Sequence, residues 1–159
     1  MPYVPFYEHF PELAKQETRT ITLLKKSHSG LPAGEYAFTE MYCNEKECDC
    51  RRGFFYVILS RNDVAAVIAY GWESPEFYAR WMGDDSPEVI EELKGPSLNM
   101  ASPQSNLAPA ILELLKKVVL PDAEYVKRIK RHYRMFRDRI DGKAQVDIQI
   151  SEDNNELAR

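Results

Sequence analysis

The chain has 159 residues, a net charge of −4 and three cysteines. That length fits one domain and is enough to bury a core. With 29% charged and 44% hydrophobic residues, the composition is that of a globular protein, which excludes a collagenous or wholly disordered chain.

The opening stretch Pro5–Lys15 is aromatic and interrupted by proline; Pro11 can open a short helix at Glu12. Tyr3, Phe6, Tyr7 and Phe10 in this region are expected to cover an open sheet edge. Thr18–Leu24 alternates and is rich in β-branched residues, so it reads as a strand. Ser27–Gly34 is a turn-rich loop. Glu35–Cys43 reads as a second strand, with Tyr36, Phe38, Glu40 and Tyr42 on one face and Ala37, Thr39, Met41 and Cys43 on the other. A charged connection, Asn44–Arg51, leads to Gly53–Ser60, an unbroken apolar run that suits a central strand. A turn at Arg61-Asn62-Asp63 precedes the strand Val64–Trp72.

Helices are expected next. Ser74-Pro75-Glu76 and Ser86-Pro87-Glu88 each combine a capping serine, a proline at the first helical position and an early acid. Gly95-Pro96 stops the second of these helices, and Asn99–Asn106 is a loop. Pro109–Leu120 is apolar nearly all round, as in a core or interface helix. Asp122–Ile140 carries Tyr125, Ile129, Tyr133, Phe136 and Ile140 at helical spacing, an amphipathic stripe. Asp141-Gly142 ends it; Gln145–Ile150 reads as an edge strand and Ser151–Arg159 as a disordered tail. The expectation is a single α+β domain over residues 1–150. An antiparallel meander of three to five strands is followed by three to four helices that pack on it, with a cysteine-rich knuckle between two strands.

That knuckle is the chemically informative segment. Cys43, Cys48 and Cys50 fall in a C-x4-C-x-C pattern at the end of one strand and the start of the next. Zinc takes four ligands in a tetrahedron, and a hairpin tip can aim three thiolates at one point with little ordering cost. The fourth ligand is sought among His9, His28 and His132. His132 is preferred because it lies beside the apolar stripe of its helix and so faces the protein body. His28, His9, Asp49 and water are the other candidates. The leading expectation is therefore a structural Cys3His zinc site at Cys43, Cys48, Cys50 and His132, in a binding or scaffold module with no catalytic residue assigned.

Two rivals stand beside it. One is an enzyme with an open thiolate–metal site, Glu40 or Glu47 supplying a carboxylate, or with a redox-active pair at Cys48 and Cys50. The other is a nucleic-acid-associated module. Seven cations between Lys127 and Arg139 meet only Glu124 and Asp138, whereas the stretch from Glu73 to Glu92 sets seven acids against Arg80. Nucleic acid is the less favoured partner, because the whole chain is acidic and the helix aromatics fall on the apolar stripe. An unidentified protein or a second copy of the chain is the other partner expectation. There is no nucleotide-binding glycine motif, nucleophile elbow, zinc-protease helix or EF-hand loop. No run of 18 apolar residues occurs, so no membrane association is expected. No secretory leader is read at the N-terminus, and the cytoplasm, where thiols stay reduced, is the expected compartment.

Overall fold

The computed structural model describes residues 3–60 and 63–143. Its chain order is β1 (Tyr3–Pro5), α1 (Phe6–His9), α2 (Pro11–Glu17), β2 (Arg19–Leu23), β3 (Gly34–Cys43), β4 (Arg52–Leu59) and β5 (Asp63–Gly71), then α3 (Pro75–Met82), α4 (Pro87–Lys94), β6 (Ser97–Leu98), α5 (Ala108–Leu114) and α6 (Ala123–Ile140). The fold is mixed α+β, as the residue pattern implies. All six strands join one antiparallel sheet. The expected turn at Arg61-Asn62 and the readings for 145–150 and 151–159 lie outside the described residues.

β3 organises the sheet. Its start pairs with β2 (Leu23↔Gly34) and its end with β1 (Tyr3↔Cys43). Its other side pairs with β4 along its length, from Tyr36↔Leu59 to Met41↔Phe54. The period-two alternation places Tyr36, Phe38, Glu40 and Tyr42 on one face, and all four are buried. That face holds the main core, against Ile111, Leu115 and Val119 of the α5 region and Tyr125, Ile129, Tyr133 and Phe136 of α6. The opposite face carries a smaller cluster of Met41, Phe54, Val67 and Ala69. There Arg52 Nε donates to the Leu93 carbonyl at the end of α4 at 2.8 Å.

Three short elements are invisible to periodicity. β1 and β6 have three and two residues, and α1 has four, too few for any repeat to show. The expected role of the N-terminal aromatics holds in part: β1 lies at the β3 edge and Phe6 is buried, whereas Tyr7 is half exposed. The apolar helix expected over 109–120 is α5 continued by a π-helical turn, Leu115–Val119, in which Leu120 N–H bonds the Leu115 carbonyl. Ala108, Ile111, Leu115 and Val119 stay on one buried stripe through this turn, and Val118 is exposed. No helix among the described residues is long and apolar enough to cross a membrane.

Candidate metal centre

The β3–β4 connection carries the site. Cys43 is the last residue of β3, Cys48 sits in the turn and Cys50 lies two residues before β4 begins at Arg52. All three are free thiols. Their sulfurs all lie within 4.8 Å of one another, and the three residues form a group that could hold a metal ion. Cys43 and Cys50 are buried in the main core, and Cys48 is partly exposed.

Two residues of the connection have left-handed backbone, Glu47 (φ 62°) and Arg51 (φ 45°), which let it turn back twice within five residues. Both are pinned. Glu47 N–H donates to Asp141 Oδ1 at 2.7 Å. Arg51 N–H donates to the Tyr133 hydroxyl at 3.0 Å, and its carbonyl accepts from the Tyr78 hydroxyl at 2.7 Å. Burial raises the pKa of Tyr78 to about 12 and pushes that of Tyr133 up as well, so both phenols stay protonated.

Arg137 makes the strongest link from α6 to the knuckle. Its Nη1 donates to the Cys43 carbonyl at 2.8 Å and its Nη2 to the Glu45 carbonyl at 2.7 Å. A guanidinium fork satisfies two turn carbonyls at once, which a lysine cannot do in that geometry. Arg137→Met keeps the buried volume but strips both carbonyls of their donor. It should cost about 2–4 kcal/mol, read as a lower urea midpoint at unchanged slope. An unchanged midpoint would show that the knuckle holds its shape without α6.

The Cys43 and Cys48 thiols are held in their neutral state. Burial raises the Cys43 thiol pKa, although the Glu45 N–H opposes this, and Cys48 worsens it. Burial raises that of Cys48 too, helped by the neighbouring Cys50. A redox-active or nucleophilic cysteine needs the opposite shift.

The structure brings Cys43, Cys48 and Cys50 together and does not bring His132 to them. His132 does face the interior and is fully buried. Its Nδ1 lies 2.8 Å from Glu40 Oε1 and its Nε2 2.9 Å from Glu17 Oε1. With both ring nitrogens bonded to carboxylates, it has no atom left for a metal, which corrects the expectation that it closes the site. Of the other candidates, His9 packs edge-on against Phe136, with centroids 5.2 Å apart. Asp49 is bonded through both carboxylate oxygens to Arg51, at 2.9 and 3.0 Å. No His, Asp or Glu among the described residues joins the sulfur group.

The Glu17–His132–Glu40 chain is a second buried polar structure that sequence reasoning missed. Tyr42 donates a short hydrogen bond to Glu40 Oε1. Phe6 stacks on the His132 ring at 4.3 Å. Glu17, at the end of α2, also bonds Arg131 at 2.7 Å, and its carbonyl accepts from Arg128 at 3.0 Å. The available signal was Glu40 itself, a carboxylate between Phe38 and Tyr42 on a buried face. Such a group must find a partner inside.

These bonds also account for much of the basic helix. Arg128 and Arg131 go to Glu17, Arg137 to the knuckle, Lys127 to Glu124, and Arg139 lies over the Phe10 ring at 4.8 Å. No ion pair joins the acidic stretch Glu73–Glu92 to α6 among the described residues; Glu73 reaches Arg51 instead, at 3.8 Å. No protein-family model, curated protein or solved structure matches this chain, so the site is read from its own chemistry.

Proposed function

We propose that the protein is a small zinc-binding module in which Cys43, Cys48 and Cys50 ligate one metal ion and the metal braces the β3–β4 connection against α6. The observation that carries this is the convergence of three thiols within 4.8 Å of one another. Zinc–thiolate bonds of about 2.3 Å in a tetrahedron set sulfurs roughly 3.8 Å apart, so a small contraction suffices. The connection is already shaped by Arg137, Tyr133, Tyr78 and Asp141, which lowers the ordering cost of binding. The role that follows is binding or scaffolding. The enzyme reading with Glu40 as the base is weaker, because Glu40 is engaged by His132 and Tyr42. The nucleic-acid reading is weaker because most cations of α6 already serve the fold.

Metal analysis of protein purified without added metal should find about one zinc per chain. Folded protein that is metal-free, and stays so when zinc is supplied, would overturn the reading.

A further inference from the structure

The sulfur triangle has one accessible side. Cys43 and Cys50 are closed in by the core, and Cys48 is the partly exposed member. Cys48 lies on the wall of a cleft of about 760 Å³ between the knuckle and α6. Tyr133 and Trp72, edge to face at 5.0 Å, line the same cleft, as do Lys130, Arg134 and Lys143. None of these three cations has an ion-pair partner among the described residues. The acids on the cleft are largely occupied: Asp49 and Glu73 face Arg51, and Asp141 faces Arg137 and the Glu47 N–H. Five acids and five cations line the cleft, and among the described residues Lys130, Arg134 and Lys143 are its cations without an ion-pair partner.

We propose that the fourth coordination position of a metal held by Cys43, Cys48 and Cys50 opens on this cleft and takes an anionic oxygen ligand, a carboxylate or a phosphate, drawn in by Lys130, Arg134 and Lys143. This rests on the metal-binding reading above. No His, Asp or Glu among the described residues joins the sulfur group, and His132 and Asp49 are bonded elsewhere. The step is ligand exchange only: a bound water leaves and an oxygen of the anion replaces it, with no change of oxidation state. Protonated Lys and Arg have no lone pair to give a metal, but they stabilise the anion's remaining charge. Such a site selects small acidic molecules and not a bulky neutral one.

Cobalt(II) is the probe, because its visible bands report its coordination sphere. The full chain is loaded with cobalt, and inorganic phosphate or acetate is added at constant ionic strength. The bands should change saturably, and the stronger of the two responses identifies the source of the oxygen. In a Lys130→Gln/Arg134→Gln double variant, whose changes lie on exposed side chains, the apparent affinity should fall roughly 3–10-fold with the anion-free bands unchanged. Bands that neither anion moves would overturn the proposal, as would an equal response in the double variant. Absence of any cobalt–thiolate bands would instead overturn the metal-binding reading itself.

Discussion

His132→Ala should lower the unfolding free energy by about 3–5 kcal/mol and leave the metal content of the folded protein unchanged. The residue is fully buried and holds Glu40 from one side and Glu17 from the other. Removing it leaves Glu40, itself only 5% exposed, with Tyr42 as its sole side-chain hydrogen-bond partner among the described residues. A buried carboxylate stripped of its main partner keeps its desolvation penalty and loses the compensating bond. The Phe6 ring also loses the surface it stacks on. Urea unfolding together with metal analysis checks both halves. Loss of metal from a variant that is still folded would return His132 to the ligand set.

The Glu17 end of this chain has a pH signature. Burial alone would raise the Glu17 carboxyl, but hydrogen bonds from Arg131 and His132 outweigh it and hold its pKa below the usual value of 4.5. A depressed carboxyl contributes stability above its unfolded pKa and loses it as pH falls through the folded one. The wild-type advantage over Glu17→Gln should therefore be full at neutral pH and shrink below about pH 4.5, with acid titration of both proteins as the measurement.

Residues with a strong local signal were legible. Alternation placed the Tyr36–Tyr42 face correctly, and the α6 stripe from Tyr125 to Phe136 is buried as its spacing requires. Ser74 caps α3 by accepting from Phe77 N–H, as its Ser-Pro-Glu signature predicts. The identical signature at Ser86 starts α4, yet its side chain bonds Asp84 and caps nothing, because Asp84 offers a charged acceptor two residues away. The cysteine cluster was legible because all three residues lie within one short connection. His132 shows where local reading stops. A helical wheel gives the face a side chain takes, but its partner depends on how α6 lies across β3 and the end of α2. That arrangement is set by residues about 90 and 115 positions away. The link between knuckle and helix was likewise expected through His132; it runs through the adjacent Tyr133 and, one turn further on, Arg137.

Removing the metal should be the other large perturbation. A ligand present at about a thousand times its dissociation constant stabilises the state that binds it by about 4 kcal/mol. Chelated protein should therefore unfold at distinctly lower urea than the zinc-loaded protein, by about 3–5 kcal/mol. Cys50→Ser removes a buried ligand with little change in volume and should unfold at the chelated midpoint whether or not zinc is present. The gap between loaded and chelated protein should also close as pH falls. Each sulfur must lose its proton to bind a metal, and burial keeps the Cys43 and Cys48 thiols above the ordinary value, so protons compete effectively with the ion. Arg137, Tyr133 and Asp141 still hold the backbone of the connection in chelated protein, so the loss should concentrate in the knuckle before the sheet opens. Amide exchange should then speed up on chelation more at residues 44–51 than in β4 and β5, where the increase is limited to the global loss of stability. Uniform acceleration across the sheet would mean that the metal supports the whole fold and not this connection alone.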